Sequence, residues 1–427
     1  MASLKGVNIV RGALGPNTLG NADSICGLLA TGVAVAADNT KGILGISLGQ
    51  TVELHSAREA EAYGIDQTYD TDNNVRVYRH ISEFFRMAGD GSTLFLMLYT
   101  GTPTDALGDT YGKKMIADAQ GSIRVLAVAY TPAQAGTAVD YLDGDVRAAI
   151  TVAQTFYEWT YETFRPCQIV LEGRDFSAQK ISVNAALNLR ELKDLNQNVI
   201  SAYKVSLCIG QDYNYADTLD AVGKKMADVG TLLGSIASKK VNENIAEVAT
   251  GNLTNVMKGL WTKAALSNHE TIADWDNELE TLDDKGYIFA ISYAGYPGLY
   301  WNNDHTCTPI IKDSDGFFNE YSISYGRTHD KAVRDLRTKL LPSVKSTQPV
   351  DASTGLLPKA IVTYFEKLGD EVFDSMAGKG LISNGKTTVD GESNLLVSPR
   401  VLKVQFVIVP TGQIDEIKGT INLKTSI

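Results

Sequence analysis

The sequence predicts a multidomain chain of α/β and α+β class: a mixed-sheet middle domain, then a C-terminal α+β core domain, with extended strands at both termini. Three observations predict it. TLFLMLY (93–99), IRVLAVAY (123–130), CQIVLEG (167–173) and YKVSLCIG (203–210) are continuous apolar runs of strand length bounded by turn signals, as expected of strands buried on both faces. Helical stretches stand between them, so strand and helix alternate. The final residues alternate apolar and polar side chains, the period of a half-buried strand. At 427 residues the chain exceeds a single core. We divide it into an N-terminal extended arm (1–20), an α/β middle, outer domain (21–280), a C-terminal α+β core (281–412) and a C-terminal arm strand (413–427).

Residues 1–20 are rich in Gly, with Val7, Ile9 and Val10 as their apolar cluster; this predicts an extended arm or edge strand. The uncharged stretch 24–37 reads as a buried first strand and the start of a helix. GILGISL and QTVEL read as strands, SAREAEAYGI as a short helix ending at Gly64. In NNVRVYRHISEFFRMAG, Val77, Ile81, Phe84 and Phe85 recur at helical spacing. DVRAAITVAQTFYEWTYETF is a long amphipathic helix. Leu219, Val222, Met226, Val229, Leu233 and Ile236 predict one further helix face, on which Gly230 and Gly234 lie a turn apart and mark close helix packing. GYIFAISYAGYPGLYW (286–301) predicts two aromatic strands around a Pro-Gly turn. Helices follow at roughly 328–341 and 358–377, with DASTG (351–355) the plainest loop between them. VLKVQFVIV (401–409) is a long apolar strand. In QIDEIKGTINLKTSI, Ile417, Ile421, Leu423 and Ile427 share one parity, against Glu416, Lys418, Thr420, Asn422, Lys424 and Ser426 on the other.

The formal charge of −11 and pI of about 5.1 repel nucleic acid and argue against it as a partner. No apolar run approaches the ~20 residues that span a bilayer, which predicts no membrane insertion. Cys26, Cys167, Cys208 and Cys307 are far apart and unpaired by spacing; Cys167 and Cys208 sit in strand-like runs as small buried hydrophobes. A reducing, cytoplasmic site of synthesis follows.

Three motifs suggest chemistry and lack the context it needs. GLISNGKT (380–387) matches GxxxxGK[ST], yet a helix precedes it and turn-like residues follow, whereas phosphate binding needs strand, loop, helix; it reads as a hairpin loop. Gly45-Ile-Ser47-Leu-Gly49 matches GxSxG, but strand-like QTVEL follows Ser47 where a helix is required. An α/β hydrolase using Ser47, with His269, His305 or His329 as base, is the enzyme alternative. Asp313-Ser-Asp315-Gly316 lacks the remaining ligands of a calcium loop and reads as a β-turn. Histidines do not cluster at metal-ligand spacing. We expect no catalytic residue, no cofactor and no metal. The helix after Gly326 carries Arg327, Lys331, Arg334, Arg337 and Lys339, with Val333, Leu336 and Leu340 as its apolar stripe. The basic side chains therefore face solvent, either as a plain solvated face or as a docking strip for an acidic partner.

The order of features in the last third resembles the C-terminal core of contractile tail sheath proteins of phage tails and related injection systems. It runs from a Gly-led aromatic strand pair (286–301), with Thr306 and Thr308, to the helix with Arg334 and Arg337. A second helix with Tyr364, Phe365, Val372 and Phe373 follows, then a Gly-rich turn, a strand reaching Pro410, and Ile414, Glu416 and Ile417 leading into the alternating tail. VGTLLGSIASKKVNENIAEV (229–248) looks like a divergent bacterial branch. The resemblance covers about a third of the chain, and residues 1–20 carry no family signature.

It implies a sheath fold and a structural, non-enzymatic subunit made and assembled in the bacterial cytoplasm. Copies would form a helical or stacked hexameric polymer around an inner tube protein, bounded by baseplate and terminator proteins, as part of a phage tail or contractile injection particle. Contraction would drive the tube through a target envelope. Inter-subunit strand exchange would use Val7, Ile9, Val10, Ile417, Ile421, Leu423 and Ile427; Lys331, Arg334 and Arg337 would face the inner tube. The fourteen residues from Ile414 span about 45 Å when extended, enough to reach a neighbour. The structural alternative is a baseplate or adaptor part of the same machine.

Overall fold

A computed structural model describes residues 23–193, 199–397 and 400–423. Two compact units divide them, one ending at Asp330 and the other starting at Lys331.

The first unit is built on a six-stranded sheet. Its elements are β1 (Cys26–Thr31), β2 (Thr51–Leu54), α1 (Val77–Ala88), β3 (Leu94–Tyr99), β4 (Val125–Ala129), α2 (Gly144–Glu162), β5 (Gln168–Glu172), β6 (Val205–Cys208) and α3 (Val229–Ser238). The strand order is β2-β3-β1-β4-β5-β6; β2 runs antiparallel to β3 and every other pairing is parallel. The predicted mixed sheet is present, and its parallel strands follow the doubly wound pattern in which helices cover both faces.

The apolar runs are continuous because successive side chains serve two cores. Leu28, Ala30, Leu96, Leu98 and Ala127 point into a cluster with Val77, Ile81 and Phe84 of α1 and Val229, Leu233 and Ile236 of α3. Leu29, Met97, Tyr99, Leu126 and Val128 point the opposite way, onto Val146, Ile150 and Ala153 of α2. All four cysteines are free and buried.

Gly230 and Gly234 let α3 lie directly on the backbone of α1. A Cβ on Gly230 would stand 2.5 Å from His80 Cα, and one on Gly234 2.5 Å from the Phe84 carbonyl oxygen. Beside this seam Arg79 is enclosed by carboxylates: its Nε is 3.0 Å from Asp228 Oδ1 and its Nη2 3.3 Å from Asp212 Oδ2. Glu83 completes the set, accepting from Arg86, Thr231 Oγ1 and Trp261 Nε1. Asp70 accepts the Tyr78 and Arg79 amides at the start of α1, donors the helix itself leaves unpaired.

Several local expectations change. The helix read from Leu219 to Ile236 forms only as α3, after a short 3-10 turn at Gly223–Lys225. Tertiary partners hold the intervening backbone: Gln211 donates to the Lys224 and Met226 carbonyls, Glu172 accepts the Ala227 amide, and the Asp228 amide donates to the Gly210 carbonyl. Residues 33–50 form no helix, and GILGISL contributes only isolated bridges at Ile43 and Ile46. The aromatic hairpin Ala290–Tyr293 and Tyr296–Trp301 turns at Ala294-Gly295, Gly295 having φ +79°; Pro297 and Gly298 lie inside its second strand.

Residues 281–330, assigned from the sequence to the C-terminal core, pack within the first unit. Ile288 adds to the β6 edge through Ile209 N–Ile288 O (2.8 Å) and Ile288 N–Leu207 O (3.1 Å), and the Cys307 amide donates to the Val205 carbonyl. Helix α4 (Ile323–Leu340) starts here. Asp304 takes its first amides, and Arg327 is buried against the Lys239, Lys240 and Asp23 carbonyls. Arg327 is thus a structural group rather than part of a solvent-facing strip. Lys204, with no exposed surface, holds Asp330 at 2.9 Å, and the Tyr157 hydroxyl donates to the same carboxylate oxygen.

The second unit contains the remainder of α4, then α5 (Lys359–Gly378) and the antiparallel hairpin β7 (Ile382–Val389) with β8 (Val404–Pro410). Most of the P-loop-like stretch, from Ile382 on, lies in β7, with Lys386 and Thr387 mid-strand instead of in a loop.

Candidate assembly surface

The C-terminal ends of β1 and β4 form the switch point where open α/β sheets receive ligands. Here hydrogen bonds tie the segments that leave the strands to one another. Thr31 Oγ1 accepts the Thr131 amide at 3.2 Å, and the Tyr99 hydroxyl donates to the Ala129 carbonyl at 3.0 Å. The Tyr69 hydroxyl donates to the Val33 carbonyl at 2.7 Å and accepts its amide at 2.8 Å. Glu172 and His80 nearby are buried, with His80 Nε2 3.9 Å from Glu172 Oε2. Burial pushes the Glu172 carboxyl up to about 7, while burial and the neighbouring Arg79 and Arg76 press His80 down to about 3. Both side chains are almost wholly buried among the described residues.

Ser47 lies in a loop before β2, its amide bonded to Gln50 Oε1. The three candidate bases are held elsewhere. His269 lies between Gln211 and Asp217, His305 between Arg190 and Asp283, and His329 beside Glu320. Among the described residues no group of His, Cys, Asp and Glu could hold a metal ion, and no helix is long and apolar enough to cross a membrane.

The second unit offers a different kind of site. Helix α5 covers one face of the hairpin: Phe365, Val372, Phe373 and Met376 are buried. Gly385 and Gly369 provide the clearance, since added Cβ atoms would stand 2.8 Å from Phe373 Cδ1 and from Thr387 Cγ2 respectively. Cross-strand register puts Thr387 opposite Phe406 and Lys386 opposite Val407. Phe406 therefore faces α5, its ring 6.2 Å from Phe373, while Lys386, Val407 and Val409 share the other face. The sheet has two strands, and a two-stranded sheet invites further strands at its edges.

Residues 411–423 form neither helix nor strand. Ile417, Ile421 and Leu423 are 86%, 93% and 101% exposed, so the half-buried strand predicted here has no sheet partner within the described chain. Val7, Ile9, Val10 and Ile427 lie outside the described residues. In the basic segment of α4, Lys331 pairs with Asp335 at 3.1 Å, Arg334 is half-buried and Arg337 is exposed.

A family model, the DUF2586 N-terminal domain, matches residues 7–305, more than half of the chain. The chain belongs to the DUF2586 family. That match spans the doubly wound sheet and the aromatic hairpin and ends before α4. No curated protein matches the sequence. A chain in the cryo-EM structure of the anti-feeding prophage (AFP) baseplate, 6-fold symmetrised, is similar to this DUF2586 protein over 100% of both chains, with a TM-score of 0.56 at 12% identity. At that identity the likeness is one of fold.

Sequence reasoning missed two features of the DUF2586 surface. The hairpin face around Lys386 is not legible in GLISNGKT, whose glycines and polar residues have the composition of a loop. The exposed apolar turn at 310–318 has the composition of a plain β-turn at its Asp-Ser-Asp-Gly core; the doublets Ile310-Ile311 and Phe317-Phe318 beside it are the sequence signal for it.

Proposed function

We propose that the chain is a non-enzymatic structural subunit of a phage-tail-like contractile injection particle, acting at the baseplate as part of a six-fold ring. One observation carries this reading: the end-to-end fold likeness to a chain of the AFP baseplate. The resemblance of residues 286–427 to contractile sheath cores supports the same machine. Other particle proteins are its partners, and the half-buried and exposed cations Arg334 and Arg337 suit an acidic one, such as an inner tube. Chains of this kind would assemble inside the cell that makes the particle.

A second reading, the sheath subunit itself, is favoured by the exposed apolar residues of the C-terminal arm next to a two-stranded hairpin. An arm whose apolar residues find no sheet among the described residues would become ordered by adding a strand to a neighbour. Repeated around and along a tube, that exchange builds an open-ended polymer.

Negative-stain electron microscopy of the purified full chain separates the readings: closed rings support the baseplate role, and tubes of indefinite length support the sheath. Removing residues 413–427 is expected to leave a folded monomer. A truncated chain that still assembles would refute the role of the arm.

A further inference from the structure

The first unit carries an apolar turn held rigidly in water. Ile310, Ile311, Phe317 and Phe318 are 59%, 54%, 52% and 43% exposed. The turn keeps its shape: the Asp313 carboxylate accepts the Asp315 and Phe317 amides at 3.0 and 2.8 Å. Asn319 accepts the Ile311 amide at 2.9 Å and donates to the Pro309 carbonyl at 2.7 Å. Phe318 leans on Tyr325 with ring centroids 5.4 Å apart. Four large apolar side chains fixed on one exposed turn mark an interaction site.

Charge selects the occupant. Asp313, Asp315 and Glu320 outnumber Lys312 within residues 309–320. Residues 331–427 hold 13 Lys and Arg against 10 Asp and Glu, a formal +3, so the preceding 330 residues carry −14 of the chain's −11. An anionic membrane would repel that first unit. The bare face of the β7–β8 hairpin has the matching chemistry, with exposed Lys386 beside Val407 and the 54%-exposed Val409.

We infer that the 310–318 turn of one copy docks on the bare hairpin face of a second copy, with Asp315 set against Lys386 and Phe317 against Val407 and Val409. The inference rests on the self-assembly invoked above and names its contact. Opposite charges on two apolar patches of one chain make a head-to-tail interface, which closes into a ring or continues as a helix.

The test uses the full-length chain, with the concentration at half-assembly read by sedimentation and particles checked by electron microscopy. Asp315→Lys, Lys386→Glu and Phe317→Ser should each raise that concentration about ten-fold, with the thermal midpoint of each variant confirming an intact fold. The double variant Asp315→Lys/Lys386→Glu should return to near the wild-type value. Wild-type assembly by Phe317→Ser, or a double variant no better than its parents, overturns the contact. If removal of residues 413–427 still abolishes assembly in that case, the proposed function stands without it. A wild-type chain that stays monomeric at every concentration removes both.

Discussion

Replacing Gly230 by Ala sets two calculable effects against each other. In an isolated helix the change stabilises by about 1 kcal/mol, because Ala loses less backbone entropy. In this fold the new methyl would stand 2.5 Å from His80 Cα, about 1 Å inside an ordinary carbon–carbon contact. The obstacle is backbone, which cannot rotate aside, so α3 must lift from α1 along a seam where residues 229–237 are all buried. Overpacking of this kind costs about 1–3 kcal/mol, and more when a backbone must move. With the cost at the upper end of that range, because the obstacle is backbone, and the propensity gain set against it, a net loss of about 2 kcal/mol is expected. All four tryptophans (Trp159, Trp261, Trp275 and Trp301) precede residue 331, so urea unfolding followed by tryptophan fluorescence reports on this unit. A Gly230→Ala chain as stable as wild type, or more stable, would refute the close-packed seam.

The pH dependence has a definite sign in one window. Burial raises the Asp70 and Glu172 carboxyls to about 7, above their ordinary values, so the folded chain takes up protons that the unfolded chain does not. Folding stability should therefore rise as pH falls from 8 towards 6.5. Below that, His80, held neutral in the fold, works in the opposite direction. Glu172→Gln should flatten the rise; an unchanged slope in chemical denaturation between pH 6.5 and 8 would count against it. Lys204→Met is expected to cost about 3–5 kcal/mol by stranding the buried Asp330 carboxylate, and adding Asp330→Leu should recover most of that. A single variant within about 1 kcal/mol of wild type in the same urea assay would show the pair to be dispensable.

The parallel strands were legible because burial on both faces leaves an unbroken apolar run, as in Leu94–Tyr99 and Val125–Ala129. Helix α5 was legible from its single apolar stripe, and Gly230 with Gly234 announced a close approach before the partner helix was known. What failed depends on residues far away in sequence. Periodicity from Leu219 onward cannot reveal that Gln211 and Glu172 claim the backbone at 224–227. Nor does an apolar stretch such as 286–301 disclose whether it opens a new domain or extends an existing sheet edge; Ile288 does the latter. The candidate surface was half legible. The tail's alternation identified Ile417, Ile421 and Leu423 as apolar residues on one parity, but it does not disclose that no described strand covers them. The rigid turn at 310–318 depends on side-chain clamps from Asp313 and Asn319 that composition does not register.

The buried thiols have a practical consequence. Burial pushes Cys26 and Cys307 up to about 12 and raises Cys208 as well, and Cys167 is also buried, so the native protein offers maleimide reagents almost no thiolate. A single cysteine placed on the exposed tail, for instance at Thr420, would then be the one position to take a dye. Energy transfer between donor- and acceptor-labelled copies could follow association in real time without first stripping the protein of its own sulfhydryls.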